Sequence, residues 1–215
     1  MTRGRFIVLE GGEGAGKSTQ AALLSAWLDT LGVPHLVTRE PGGTPVGEAV
    51  RSVVLERTDL EMPAQSELFL YLASRAAFVH QVVRPALAAG RTVIADRFNL
   101  STLAYQGYGR GLDLAEVRRA VALATGGLEP DLTIFFDVPV GEGVDRQRKG
   151  GLEPDRMERE GATFMQRVRD GYFALARTEP MVRIVSATGS PEEVHESVRR
   201  LLVAELPETF RLDAV

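Results

Sequence analysis

Short apolar, β-branched runs recur along the chain at 6–10, 35–38, 92–96, 132–137 and 183–186, each of strand length. Between them, apolar residues recur every three to four positions and predict helices over 18–31, 45–55, 66–89, 113–125, 140–149, 160–179 and 191–204. Strands alternate with helices, and continuous apolar runs suit strands covered on both faces. The pattern therefore predicts an α/β fold, a mainly parallel sheet flanked by helices. Ligands of such sheets sit outside the carboxyl ends of the strands. Helix 66–89 is the longest and unusually apolar, through Leu68, Phe69, Leu72, Val79 and Val83 among others. It reads as core, or as part core and part subunit contact, with Pro85 kinking it or ending its regular part. No repeat or linker divides the chain, so residues 1–215 read as one domain.

The stretch after the first strand carries the most chemistry. Residues 11–18 read G-G-E-G-A-G-K-S and fit the phosphate-loop pattern G-x-x-x-x-G-K-[ST] at every fixed position. Gly11, Gly14 and Gly16 let the backbone turn sharply and bring its N–H groups close to an anion. Lys17 is the cation for the β- and γ-phosphates, and the Ser18 hydroxyl is a Mg²⁺ ligand. Gly12, Glu13, Ala15 and Thr19 complete the candidate ATP-binding stretch. A strand before the loop and a helix after it give the context the motif needs.

Two acidic residues end apolar runs, Asp96 and Asp137, and position alone does not choose between them as a second Mg²⁺ ligand. Asp96 is followed at once by Arg97, which suits a site that holds metal and phosphate together. For Asp137 the favoured reading is a cap on the next turn. The loop over 38–44, T-R-E-P-G-G-T, follows the second strand and faces the expected cleft. Basic residues are dense between 146 and 159: Arg146, Arg148, Lys149, Arg156 and Arg159, divided by Gly150 and Gly151. This segment reads either as a lid that closes over polyphosphate or as a solvated loop neutralised by Glu153, Asp155 and Glu158.

Composition narrows the classes. The formal net charge of −4 argues against a broad nucleic-acid footprint. Zero cysteines exclude disulfides and thiolate metal sites. The histidines His35, His80 and His195 are scattered without metal-site spacing. No apolar stretch approaches the roughly 20 residues that span a bilayer. With a core strand starting directly after the N-terminal residues, no signal peptide and a cytoplasmic location are expected. The Asn-Lys-x-Asp motif of guanine-reading switches is absent. A small phosphate-loop protein with a basic lid points to phosphoryl transfer between small nucleotides.

Here the sequence resembles a known family. The blocks 9–18, 38–44, 96–98 (D-R-F), 104–111 (A-Y-Q-G-Y-G-R-G) and 155–158 (D-R-M-E) are similar to bacterial thymidylate kinases, in the family's order and over nearly the whole chain. The resemblance implies a three-layer P-loop fold with sheet order 2-3-1-4-5 and a homodimer with helices packed across its two-fold. It implies transfer of the ATP γ-phosphoryl group to dTMP with Mg²⁺, a step in dTTP biosynthesis. By position, Glu13 lies near the sugar and acceptor phosphate, and Arg97 clamps that phosphate with Arg39 and Arg51 as lesser helpers; Pro41 belongs to the same dTMP-binding set. Tyr71 stands where the family has a Phe stacking on thymine, and Arg75 donates to a thymine carbonyl. Thr102 and Gln106 line the base and sugar region, and Tyr105 crowds the 2′ position. Gly14 follows Glu13 where one branch of the family has arginine, so a lid arginine, Arg148 or Arg156, is expected to supply that charge, with Arg146 near adenine. The alternatives are a P-loop regulatory protein without transfer activity and a kinase for another deoxynucleotide.

Overall fold

The structure, a computed structural model, describes residues 3–151 and 155–210. Five strands form one parallel sheet in the order β2-β3-β1-β4-β5: β1 Phe6–Gly11, β2 His35–Arg39, β3 Thr92–Asp96, β4 Leu132–Asp137 and β5 Val182–Ser186. This is the order expected. The helices are α1 Lys17–Thr30, α2 Pro45–Arg51, α3 Ala64–Phe78, α4 Arg84–Ala88, α5 Asn99–Thr102, α6 Leu114–Thr125, α7 Val140–Lys149, α8 Ala162–Ala176 and α9 Pro191–Glu205. The register pairs Leu9 and Arg39 with Asp96, and Gly11 with Phe136. Glycine loop, Arg39 and Asp96 are thereby brought to one edge.

Alternation along β1 sends side chains to two different cores. Ile7 and Leu9 pack with Leu24, Leu28, Ile134, Phe136, Val198 and Leu202 under α1 and α9. Phe6 and Val8 pack with Phe78, Val79, Val83, Val93 and Phe98 on the opposite face. Glu10 falls on this second face and is fully buried. A third cluster joins Phe135 to Leu103, Tyr105, Val168 and Tyr172 beneath α8.

The long helix expected over 66–89 departs from regularity. It starts at Ala64 and widens into a π-helical turn over Val79–Val83 before resuming as α4. Pro85 in the first turn of α4 has no N–H to donate, and the widened turn ahead of it relieves the clash its ring makes with the preceding turn. Its face is mixed: Leu68, Leu72 and Phe78 are buried, whereas Phe69 is 63% exposed and Ala73 and Ala76 are exposed beside it. A helical segment over 99–109 was not expected; it comprises α5 and a wide turn, Leu103–Gly109.

Candidate functional site

Gly11–Ser18 carries the chain from the end of β1 into the first turn of α1. Gly11, Gly14 and Gly16 have φ of 146°, 66° and 82°, which disfavour any residue with a Cβ. At Gly14 a Cβ would also lie 2.2 Å from the carbonyl oxygen of Gly143 in α7. A side chain at 14 would thus meet both a strained backbone and the Gly143 carbonyl in this arrangement. Lys17 is buried, and its Nζ donates to the carbonyls of Gly11 (3.2 Å) and Gly12 (2.9 Å). Burial and the Arg97 charge hold its ammonium below the usual lysine range against the opposing pull of Glu13 and Asp96. Ser18 Oγ donates to Asp96 Oδ2 at 3.3 Å, while Asp96 Oδ1 is buried with no hydrogen-bond partner. Two oxygen groups on neighbouring elements, one with an unsatisfied buried atom, fit a small hard cation. Asp137 differs: Arg169 Nε and Nη2 grip its two oxygens at 2.8 and 3.1 Å. The expected cap is replaced by an ion pair, because α8 brings an arginine to this strand end.

A cleft of about 850 Å³ opens over the carboxyl ends of the strands. On its floor the Arg97 guanidinium donates to the Gly11 carbonyl (3.1 Å), Ser101 Oγ (3.2 Å) and the Tyr105 hydroxyl (3.3 Å), and pairs with Glu13. It also lies 5.1 Å from the Tyr105 ring centre, a cation–π contact. Burial tends to raise the Glu13 carboxyl, but the Arg97 and Lys17 charges outweigh it and hold the group below the usual carboxylate range. Arg97 is accordingly aimed by contacts on several sides.

Further along, Arg75 is buried and donates from Nε to Glu40 Oε2 (2.7 Å), from Nη1 to Thr102 Oγ1 (2.6 Å) and from Nη2 to the Phe98 carbonyl (2.9 Å). Five N–H groups are available on a guanidinium, so some remain to face the cleft. Tyr71, Arg39, Pro41 and Arg51 line the same wall. Arg51 Nη1 donates to the Pro41 carbonyl at 3.1 Å, and Arg39 pairs loosely with Glu48 at 3.3 Å. Every acceptor-side residue named from the sequence thus lines one cleft, together with Lys17, Ser18, Thr19 and Arg146. Gly11 and Gly12 lie behind the lining, as backbone.

The sequence reading missed the hub of this wall. Glu67 is fully buried and accepts from Gln106 Nε2 (2.9 Å), Arg110 Nη2 (2.8 Å) and Arg156 Nη2 (2.5 Å). Burial would raise its carboxyl, but these donors outweigh that and lower it. One signal was available: 67, 71 and 75 share a helix face, so an acid one turn before Tyr71 and two before Arg75 turns to the same side, where it lies buried behind the cleft lining.

The lid residues divide. Arg156 is tied to Glu67 and, through Nε, to the Val54 carbonyl at 2.7 Å. It stands at the acceptor side and not over the phosphate loop. Arg148 is exposed near the end of α7. Arg146 bridges the Ala187 carbonyl (2.8 Å) and Glu142 (2.6 Å) and reaches the Gly14 carbonyl at 3.4 Å. Asp155 Oδ1 accepts from the amides of Met157 and Glu158, so it caps the short turn that opens here. Glu153, one of the acids offered as neutralising the lid, lies outside the described residues.

A phosphate loop at the end of β1, an oxygen pair beside it and an arginine-lined wall in the same cleft fit a P-loop nucleoside monophosphate kinase. The sequence profile of the thymidylate kinase family matches residues 9–198. The chain is 52% identical over 181 residues to the thymidylate kinase of Desulforudis audaxviator, covering 82% of this chain and 80% of that one. With the thymidylate kinase of Nostoc punctiforme the identity is 45% over 206 residues, covering 94% and 97%. The crystal structure of thymidylate kinase from Ehrlichia chaffeensis superposes with a TM-score of 0.76 at 32% identity, covering 93% of this chain and 98% of that one. The chain belongs to the thymidylate kinase family, and it is an ATP-dependent kinase that phosphorylates dTMP.

Proposed function

We propose that the cleft works as two halves that meet at Arg97 and Lys17. The donor half is the phosphate loop with Thr19 and Arg146, which holds ATP with its γ-phosphoryl group at Lys17. The acceptor half takes dTMP: Tyr71 stacks on thymine, Arg75 donates to a thymine carbonyl, and Thr102 and Gln106 border base and sugar. Arg97 holds the acceptor phosphate, with Arg39 and Arg51 behind it, and Glu13 fixes Arg97 near the sugar. The Tyr105 ring closes the space beside the 2′ position. A Mg²⁺ held by Ser18 Oγ and the Asp96 carboxylate would supply neutralising charge at the β- and γ-phosphate oxygens. Phosphoryl transfer asks the protein mainly for alignment and charge, and Lys17, Arg97 and a lid arginine supply both.

The single observation behind this reading is the Lys17–Glu13–Arg97–Asp96 cluster, where donor loop and acceptor wall share one charged floor. The exposed stripe Phe69, Ala73 and Ala76 on α3, with Val46 47% exposed on α2, supports a homodimer packed through these helices. Among the described residues no helix is long and apolar enough to cross a membrane, and we place the reaction in the cytoplasm.

A coupled ADP-release assay over a panel of monophosphates, with and without Mg²⁺, tests the reading. We expect dTMP to be preferred over dCMP, because Arg75 as a donor suits a thymine carbonyl and not a cytosine amino group. An unpaired buried donor costs about 1–3 kcal/mol, or roughly 5- to 150-fold in catalytic efficiency. Equal efficiency for dCMP would remove Arg75 from this role.

A further inference from the structure

We propose that Glu10 and Ser101 form a positioning relay that aims Arg97. The inference rests on the reading of Arg97 as the clamp on the acceptor phosphate. Strand alternation places Glu10 on the Phe6 and Val8 face, beneath α5 and α8, where its side chain is fully buried. A buried carboxylate persists only if its oxygens are satisfied. Oε1 accepts from the backbone amides of Phe98 (2.9 Å) and Ser101 (3.0 Å). Oε2 accepts from Ser101 Oγ (2.5 Å) and the Tyr172 hydroxyl (2.9 Å).

These donors surround the one strained turn of the site. Arg97 has φ of 76°, the only positive value for a non-glycine residue among the described residues. Such a conformation costs about 1–3 kcal/mol and survives only where neighbours impose it. The amides that Glu10 takes belong to the first and fourth residues after Arg97, so the carboxylate pins the chain as it leaves the strained position. The side chain is held by a second route. Ser101 has one hydroxyl proton, and Glu10 takes it. The oxygen is left with lone pairs only, and one of them accepts from Arg97 Nη1 at 3.2 Å. Glu10 thereby sets the polarity of the hydroxyl that Arg97 reads. Ser101 borders the cleft but Glu10 does not, so Glu10 acts through Arg97 and not on substrate.

The test compares Ser101→Ala, Glu10→Gln, Tyr172→Phe and Arg97→Ala by separate KM values for dTMP and ATP, by kcat and by Tm. Glutamine at 10 keeps an oxygen for the two amides but turns an N–H towards Ser101, reversing the hydroxyl. We expect Ser101→Ala and Glu10→Gln to raise the dTMP KM about tenfold or more, the scale of one lost hydrogen bond to a charged group, with the ATP KM changed less than about twofold. Tyr172→Phe removes a donor to Glu10 Oε2 and a contact with Ser101 Oγ (3.0 Å) but keeps the Glu10–Ser101–Arg97 bonds, so it should raise the dTMP KM less than Ser101→Ala does. Should Glu10→Gln not fold, Ser101→Ala decides alone. Equal rises in both KM values, or a lower Tm with unchanged KM values, would make the pair merely structural and overturn the proposal. If Arg97→Ala raises the dTMP KM while neither relay variant does, the clamp stands and the relay falls. If Arg97→Ala leaves the dTMP KM unchanged, clamp and relay fall together.

Discussion

The two halves of the cleft hold their cations differently. On the acceptor side Arg75 pairs with buried Glu40, Arg156 and Arg110 with buried Glu67, and Arg97 with Glu13. On the donor side Lys17 rests on two loop carbonyls, Arg146 divides between two carbonyls and the part-exposed Glu142, and Arg148 stands exposed. A carboxylate partner fixes a guanidinium in one geometry. A carbonyl contact is weaker, and a phosphate can replace it at little cost. The acceptor wall is therefore built before substrate arrives, as reading a base requires. In the proposed reading Lys17 and Arg148 keep their charges exchangeable, as suits a group that enters as ATP and leaves as ADP.

The sharpest way to break this contrast is Lys17→Ala. Lys17 has no carboxylate partner to lose, so the fold should survive. Transfer loses a main charge-stabilising group, and kcat should fall by about 10²–10³ or more. Near-normal single-turnover transfer in this variant would overturn the role given to the loop.

The lid arginines sharpen it next. Gly14 leaves one position of the transition-state constellation without an arginine, and Arg156 is committed to Glu67. In the proposed reading this leaves Arg148, exposed near the end of α7, as the candidate to cover the transferring group. We expect Arg148→Ala to lower kcat more than about tenfold, or roughly 1.4 kcal/mol, with little change in ATP affinity. Arg156→Ala should act mainly on the dTMP KM and on Tm, because it breaks a pair with a fully buried carboxylate. Single-turnover rates beside equilibrium ATP binding separate the two. A kcat loss confined to Arg156→Ala would mean that its tie to Glu67 opens during turnover.

What the sequence made legible follows the same division. The phosphate loop is contiguous and each of its residues has one backbone task, so it could be read directly, as could strands written as unbroken apolar runs. The acceptor wall is assembled from α2, α3, α5 and the segment after it, and family resemblance supplied its residues where spacing could not. Glu10 and Glu67 escaped notice because a lone acid beside apolar neighbours looks exposed until the fold closes over it. The helical segment over 99–109 carries Gly107 and Gly109, poor helix formers. They are tolerated because added Cβ atoms would meet Leu114 at 2.5 Å and Phe164 at 2.7 Å. Tertiary packing, invisible in local propensity, decides that segment.

The smallest expected effect concerns the acidity of the acceptor wall. Burial pushes the Glu40 carboxyl up to about 7, although the Arg75 guanidinium pulls it down. Its folded value lies above the ordinary 4.5 of an unfolded chain. By linkage, the stability this group contributes is fully present below about pH 4.5 and is lost as pH rises through about 7. Positioning runs the other way, because the ionised carboxylate is the form that grips Arg75 most firmly. At pH 6 about nine-tenths of a group titrating near 7 is protonated, so the hold on Arg75 weakens and the dTMP KM should rise a few-fold between pH 8 and pH 6. The acceptor phosphate itself titrates near pH 6, which contributes its own slope. Glu40→Gln separates the two: it imitates the protonated acid at every pH, so only the slope from the phosphate should remain. dTMP KM values for both proteins at pH 6, 7 and 8 give the comparison. A variant that keeps the full slope would show that Glu40 does not titrate in this range, and that the acceptor wall is as rigid in its charges as in its geometry.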